Sequence, residues 1–275
     1  MAASAHVDTF ARDNLPPRDR WPDLSFDLPE LRYPERLNSA AELLDRMAAG
    51  SRGDRVALRS PGATLTYREL LALANRVAHV LREDMGLVPG NRVLLRGPNN
   101  HMMAACWLAA LKAGCIAVAT MPLLRARELE QIAGKARIGA ALCDARLLEE
   151  LELARARSPQ LSRVVAFGGG GPGSLEALAA GKPAAFENLD TAADDVALIA
   201  FTSGTTGQPK GTLHFHRDVL AMCDCFPRSC LRPTADDVFV GTPPLAFTFG
   251  LGGLLCFPLR FGASTVLVEK PSPDL

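Results

Sequence analysis

Short apolar runs alternate with helical patterns between residues 92 and 167, and this alternation constrains the fold more than any other feature of the chain. Strands are predicted at 92–95, 115–120, 139–143 and 163–167, and helices at 101–113, 127–136 and 146–156. Strands that are apolar on both faces are typical of a parallel sheet with helices on both sides. We therefore expect an α/β fold with mostly parallel sheets and helices on both faces.

Two capping-box patterns predict helix starts upstream of this region. Ser39-Ala-Ala-Glu42 and Thr66-Tyr-Arg-Glu69 each place a hydroxyl three residues before a glutamate, so that the two side chains can satisfy the first amides of a helix. We expect the first helix to end near Gly50 and the second at Gly86.

Downstream of residue 215 the pattern starts again. A helix over 217–226, closed by Pro227, precedes strands predicted at 237–241 and 265–268. The predicted organisation is therefore an extended N-terminal arm with a first helix (1–60), a first α/β lobe that ends in a polar loop (61–215), and the start of a second α/β lobe that is incomplete (216–275).

Composition argues against some partners and compartments. Thirty basic and thirty acidic residues cancel, and 48% of the 275 residues are hydrophobic, so a soluble globular protein without charge-driven binding to nucleic acid or membrane is expected. The apolar stretch 102–124 is interrupted by Lys112 and Gly114, which favours a buried helix and strand over a membrane span. Seven scattered cysteines and no secretory pattern predict reduced thiols and a cytoplasmic location.

The polar loop after the apolar run 196–201 is the strongest functional signal. It reads Thr202-Ser-Gly-Thr-Thr-Gly-Gln-Pro-Lys-Gly211. Glycines let backbone N–H groups converge on an anion, hydroxyls add donors, and the lysine adds a charge suited to polyphosphate. Pro209 disfavours a helix start at the lysine, so this is not a Walker A loop. The phosphate-binding candidates are Thr202, Ser203, Gly204, Thr205, Thr206, Gly207 and Lys210.

Two other clusters have spacings that do not support a site. The run Gly168–Gly173 matches a dinucleotide pattern only because any glycine run does, and we expect a surface connection. A second cluster lies between residues 214 and 230 and fits no standard zinc spacing. We therefore predict no metal site there, but a packed helix with satisfied histidines, Cys223 on its apolar face and Asp224 on its solvated face. Its histidines and cysteines are His214, His216, Cys223, Cys225 and Cys230.

A second informative stretch runs from Pro243 to Gly253 and reads PPLAFTFGLGG. Taken alone, it predicts a buried turn that packs Phe247 and Phe249. Glycines beside aromatic residues would also leave room for a flat ring against an aromatic wall.

Together these segments resemble the adenylate-forming enzymes, a family of acyl- and aryl-CoA ligases, luciferases and adenylation domains. The resemblance covers about residues 50–275, includes Leu65–Leu70, Pro89–Val93 and Gly97–Asn100, and is closest to benzoate and 2-aminobenzoate CoA ligases. It implies the N-terminal core of the adenylate-forming fold, with the C-terminal part absent. It also implies an acid-binding wall formed by Phe247, Thr248, Phe249, Gly250 and Gly252. Many acyl-CoA ligases have a histidine where Phe247 stands, so the aromatic residue here favours an aromatic acid.

The resemblance implies a two-step reaction. An aromatic carboxylate attacks the α-phosphorus of Mg²⁺-bound ATP, pyrophosphate leaves, and the thiol of coenzyme A then attacks the acyl-adenylate and releases AMP. The loop would hold the charge of the leaving pyrophosphate. In the family, the adenine contacts, an acidic residue for Mg²⁺ and the catalytic lysine come later in the chain, so residues 1–275 alone are expected to be inactive.

Two alternatives remain open on the sequence. One is an adenylating enzyme that loads the acid onto a carrier protein instead of coenzyme A. The other is a truncated module that binds a ligand or partner without catalysis. A homodimer is compatible with each of these.

Overall fold

The computed structural model describes residues 2–202 and 209–270, and these form two sheets with helices around them, which confirms the predicted α/β class. The strands are β1 (Val56–Ser60), β2 (Ala63–Thr66), β3 (Arg92–Arg96), β4 (Ile116–Thr120), β5 (Ala140–Asp144), β6 (Arg163–Phe167), β7 (Val196–Thr202), β8 (Lys210–Phe215), β9 (Val238–Gly241) and β10 (Ser264–Leu267). The α-helices are α1 (Phe10–Asp13), α2 (Arg46–Ala49), α3 (Tyr67–His79), α4 (His101–Lys112), α5 (Ala126–Lys135), α6 (Leu148–Arg155), α7 (Leu175–Ala180), α8 (His216–Asp224), α9 (Thr248–Leu251) and α10 (Phe257–Phe261). Wider π-helical turns adjoin some of them at Ala41–Asp45, Val80–Asp84, Pro227–Leu231 and Gly252–Cys256.

The larger sheet has six strands in the order β6-β5-β3-β4-β7-β8. Its strands run parallel except β8, which returns antiparallel to β7 and places Lys210 opposite Thr202. The sequence predicted a helix soon after the polar loop and missed this strand. The loop is therefore carried by a hairpin whose two arms are both part of the sheet.

The smaller sheet has four strands in the order β2-β1-β10-β9. Strand β1 pairs antiparallel with β2 and parallel with β10, so the sheet joins strands that lie two hundred residues apart in the chain. The smaller sheet thus contains strands from both sides of the predicted domain boundaries at residues 60 and 215. The three-part domain organisation remains a prediction.

Helix α4 forms the centre of the hydrophobic core. All of its residues from Met102 to Lys112 are buried, and it contacts β1 of the smaller sheet as well as β3 and β4 of the larger one. A helix that meets protein on every side is apolar on every side, which explains the long apolar stretch in the sequence. In the part of the chain that the structure describes, no helix is long and apolar enough to cross a membrane.

The larger sheet is covered on both faces, as predicted. Side chains of β3 alternate between two apolar clusters: Val93 and Leu95 join the cluster around α3 and α4, while Leu94 joins the one that contains Leu129 of α5 and Leu151 of α6. This alternation follows from the two-residue repeat of a strand.

The N-terminal arm packs along the amino ends of this sheet. The Ser4 hydroxyl and the Ala5 amide donate to the carboxylate of Asp195, just before β7. The carboxylate of Asp8 accepts from Arg92 at the start of β3, so the arm is tied to two strands by charged groups.

One of the two predicted capping boxes forms. The Thr66 hydroxyl and the Glu69 carboxylate cap α3 reciprocally, as expected. The Ser39–Glu42 prediction is wrong, because the helix over residues 39–49 is capped by Asn38, whose Oδ1 accepts from the Ala40 amide at 3.1 Å. The Ser39 hydroxyl instead lies 2.9 Å from a ring nitrogen of His216.

Two expectations for the end of α8 and the residues after it are also wrong. Pro227 does not end the helical region but starts a π-helical turn. Asp224 is not solvated: it is buried and accepts hydrogen bonds from Tyr33, Arg228 and Arg260. Although burial opposes ionisation, the bonds from the two arginines hold the pKa of this carboxyl below its usual value.

Candidate active site

A pocket of about 600 Å³ opens at the carboxyl ends of β4 and β7. Ligands of open parallel sheets bind at this edge, because the loops that follow the strands meet there. The pocket brings together three segments: the ends of the β7–β8 hairpin, the segment before α9, and the connection from β4 to α5. Its lining residues are Ala119, Thr120, Met121, Leu124, Glu128, Gln131, Ile132, Phe201, Thr202, Pro209, Ala246 and Phe247.

The two residues that flank the predicted phosphate loop lie at one side of this pocket. Thr202 and Pro209, which flank the loop, both line the pocket. Ser203, Gly204, Thr205, Thr206 and Gly207 lie outside the described residues. Lys210 pairs with Thr202 across the hairpin, and its side chain is exposed. A second lysine, Lys135 of α5, donates to the Pro209 carbonyl at 2.8 Å and so fixes the base of the hairpin loop.

The predicted acid-binding segment is divided by the structure. Phe247, half exposed, lines the pocket. Thr248 follows it at a narrow apolar crevice beside Trp107. Phe249 is 71% exposed and lies outside the pocket lining, so the expected buried turn around both phenylalanines is wrong.

The two glycines of this segment have packing roles. A Cβ atom on Gly250 would come within 2.1 Å of the Pro244 carbonyl oxygen, closer than real atoms approach, so only glycine fits this turn. A Cβ atom on Gly252 would stand 3.1 Å from the Phe257 ring. Their role in binding an acid stays a prediction.

The third wall of the pocket was not predicted. It consists of Thr120 at the end of β4, of Met121 and Leu124 after that strand, and of Glu128 and Gln131 on α5. None of these belongs to a recognisable motif. The signal that could have found them is positional, because β4 neighbours β7 in the sheet and its following loop must share the same edge.

The walls suit an apolar group. Aromatic and aliphatic side chains dominate the described lining, with the polar side chains of Thr120, Gln131 and Thr202 and one charged group, Glu128. The Thr120 hydroxyl donates to the Leu95 carbonyl at 3.3 Å. A flat ring can stack on Phe247, while an anionic end could reach the hairpin. Among residues 2–202 and 209–270, no three possible metal ligands converge, so we assign no metal ligands in this part of the chain.

The structure shows the surroundings of the two clusters that were set aside on sequence spacing. Residues 168–173 form an exposed connection between β6 and α7, and Gly168, Gly170 and Gly171 have positive φ angles. Ring Nδ1 of His216 accepts from the Ser39 amide at 3.1 Å, but its buried Nε2 has no partner among the described residues, so not every histidine here is satisfied.

The fold and pocket define an α/β core with a candidate ligand site at the carboxyl ends of its parallel strands, and this site is lined by Thr202 and Pro209, the residues that flank the glycine- and hydroxyl-rich segment of the sequence. This chain belongs to the AMP-binding enzyme family, whose model matches residues 44–275.

Relatives that activate aromatic acids are among the similar proteins. The chain is 33% identical over 246 residues to the benzoate–CoA ligase of Thauera aromatica, an alignment that covers 89% of this chain and 47% of the relative. It is 35% identical over 243 residues to the salicyl-AMP ligase / salicyl-S-ArCP synthetase of Mycobacterium tuberculosis, covering 84% and 41%. The crystal structure of the anthranilate CoA ligase AuaEII in complex with anthranoyl-AMP superposes with a TM-score of 0.84 at 28% identity, covering 89% and 47%. The chain thus spans about half the length of the relatives it matches.

Proposed function

We propose that this chain supplies the acid pocket and the phosphate-binding loop of an aryl-acid CoA ligase that uses ATP. One observation carries the proposal: Thr202 of the predicted phosphate loop and Phe247 of the predicted acid-binding segment line the same pocket. The names of the benzoate and anthranilate ligases support benzoate or 2-aminobenzoate as the acid. Seven free cysteines, five of them buried, support a reducing, cytoplasmic setting.

In the proposed reaction the described residues bind and orient, and none transfers a proton. The ring of the acid stacks on Phe247, with its carboxylate directed toward the hairpin loop. The carboxylate attacks the α-phosphorus of ATP, and Lys210 with the loop from Ser203 to Gly207 holds the charge of the departing pyrophosphate. Mg²⁺ enters with the ATP phosphates. Coenzyme A then takes the acyl group and AMP leaves.

The test is the exchange of labelled pyrophosphate into ATP by the protein at its natural length. We expect exchange that depends on benzoate or 2-aminobenzoate and is weak with an aliphatic acid of similar size. Lys210→Ala should lower the exchange rate on the order of a hundredfold, since it removes a charge from the leaving-group site. Lys182→Ala, which changes a lysine paired with Glu83 and Asp84, is the matched control.

Two results would reject different parts of the proposal. No exchange with any aromatic acid would exclude aryl-acid activation, whereas a normal rate for Lys210→Ala would exclude the phosphate role of the lysine alone. The same assay applied to residues 1–275 by themselves should give only background exchange.

The 35% identity to the salicyl-AMP ligase / salicyl-S-ArCP synthetase supports an alternative acceptor for the acyl group. In that alternative the acyl group goes to the pantetheine thiol of a carrier protein. The acyl-transfer step distinguishes the two, because free coenzyme A and a pantetheinylated carrier protein can be offered separately to the preformed acyl-adenylate.

A further inference from the structure

We infer that Arg96 and Asn99, at the carboxyl end of β3, are positioning residues that hold two separate walls of the pocket and so set its fit to the acid. For its effect on acid selectivity the inference rests on the proposed function. The geometry itself does not, because each residue binds backbone atoms of a pocket wall and neither lines the pocket.

Arg96 holds the wall that follows β4. Its Nη1 donates to the Met121 carbonyl at 2.9 Å, and Nη2 donates to the carbonyls of Pro122 and Leu124 at 3.0 and 2.8 Å. Nε adds a longer bond of 3.4 Å to Leu147. The side chain is 1% exposed, and no carboxylate contacts it within the ranges that the structure describes. Burying a guanidinium that has no counter-ion costs free energy, even when backbone carbonyls accept its hydrogen bonds. Its presence here therefore indicates that the conformation of the 121–124 loop is important.

Asn99 holds the wall that carries Phe247. Its Nδ2 donates to the Pro243 carbonyl at 2.9 Å, and its Oδ1 accepts from the Leu245 amide at 2.7 Å. One side-chain amide thus closes the turn just before Ala246 and Phe247, two residues of the pocket lining. Asn99 is 5% exposed, so both bonds are made away from bulk water.

Arg96 and Asn99 both lie at the carboxyl end of strand β3, so both walls are held from the same strand. Strand β3 lies inside the six-stranded sheet between β5 and β4, where it cannot shift by itself. The segment after it therefore acts as a fixed point from which both walls are placed. Lysine cannot replace Arg96, because an ammonium has no planar fork to span several carbonyls. Aspartate cannot replace Asn99, because its second oxygen would face the Pro243 carbonyl without a hydrogen.

Each substitution has a matched control in the same chain. Arg92 is a buried arginine at the other end of β3 whose guanidinium also donates to backbone carbonyls, those of Ala136, Gly90 and Arg137. Asn75 is a buried asparagine whose Nδ2 donates to the Ala184 carbonyl at 2.7 Å, outside the pocket. Arg92→Lys and Asn75→Asp thus lose bonds to backbone carbonyls without changing a pocket wall. Arg92 differs from Arg96 in that it also pairs with the carboxylate of Asp8, so any general loss of stability should be at least as large in this control.

The experiment compares Arg96→Lys, Asn99→Asp and the two controls in the protein at its natural length. Two quantities are measured: the separate KM values for aromatic acid and ATP, and backbone hydrogen exchange in residues 121–126 and 243–247. We expect each site variant to raise the KM for the acid about tenfold while the KM for ATP changes less than about twofold. Exchange should accelerate in 121–126 for Arg96→Lys and in 243–247 for Asn99→Asp.

Several outcomes would overturn the inference. One is an unchanged KM for the acid in both site variants; another is an equal rise in the controls, which would mean that lost stability alone is responsible. Faster exchange spread over the whole chain, or in neither wall, would do the same. If the unaltered protein activates no aromatic acid, the proposed function fails, and hydrogen exchange still decides whether these two residues hold the walls.

Discussion

In the six-stranded sheet, the two ends of strand β3 and its neighbour β4 are held by different contacts. At the amino ends, charged groups meet partners of opposite charge: Asp8 contacts Arg92, and Lys112, just before β4, contacts Asp45. At the carboxyl ends, Arg96 is satisfied by carbonyls alone and the space between the loops is left open as a pocket. We therefore expect substitutions at the amino ends to lower the stability of the fold and to leave acid binding intact. We expect substitutions at the carboxyl ends to weaken acid binding with little effect on stability.

The largest expected effect is at the amino end, at the ion pair of Lys112. Its ammonium is completely buried, and it donates to both carboxylate oxygens of Asp45 at 2.6 Å. Burial lowers the pKa of Lys112, and Asp45 counteracts this. Asp45→Asn leaves the buried charge without its counter-ion and should lower the free energy of unfolding by about 3 kcal/mol, measured by urea denaturation.

The control for this change is the exposed pair of Arg36 and Asp190. Asp190→Asn should cost about 0.5 kcal/mol or less, because surface ion pairs contribute little. Acid affinity per folded molecule should be unchanged in both variants. A loss below about 1 kcal/mol for Asp45→Asn would break the comparison at its amino end.

A smaller effect at the same end depends on pH. His216 is fully buried beside Ser39, and burial lowers its pKa to about 3. An unfolded histidine takes up a proton below about pH 6.5, whereas the folded one stays neutral, so stability is full above that pH and falls as the pH drops toward 3. Between pH 7.5 and 5.5 this group should remove about 1.4 kcal/mol from the free energy of unfolding.

The comparison variant is His216→Gln, which keeps an acceptor for the Ser39 amide but cannot titrate in this range. Burial also lowers the pKa values of His6 and His101, but those residues are present in both proteins and cancel in the difference. If the variant loses as much stability as the wild type between the two pH values, His216 is not the source of the acid sensitivity.

Local patterns predicted what depends on neighbours in the chain. Strands β3 to β6 and helices α4 to α6 follow from periodicity, and the Thr66 cap follows from a four-residue motif. Asp224 could not be understood in this way, since its partners Tyr33 and Arg260 lie 191 and 36 residues away in sequence. Asn38 was missed because it and Ser39 are both good capping residues, and only the contact with His216 decides between them.

The candidate site also has parts that local sequence patterns indicate and parts that they do not. Its motif-bearing parts, Thr202 and Phe247, were already candidates on the sequence because glycine, hydroxyl and aromatic residues cluster there, and both line the pocket. The wall from Thr120 to Gln131 consists of ordinary side chains, and the roles of Arg96 and Asn99 lie in bonds to distant backbone atoms. Those contacts depend on the order of the strands, which no local pattern contains.

The smallest effect sharpens the comparison within the carboxyl end itself, between two phenylalanines two residues apart. Phe247 lines the pocket, whereas Phe249 is 71% exposed outside it. Phe247→Ala should weaken acid binding about fivefold through the lost ring contact, while Phe249→Ala should change both acid affinity and stability by less than about 0.5 kcal/mol. Titration of each variant with the aromatic acid measures the difference. An equal loss in both would show that the whole 247–249 segment contacts the acid, as the family resemblance implied, and that the pocket wall extends beyond the present lining.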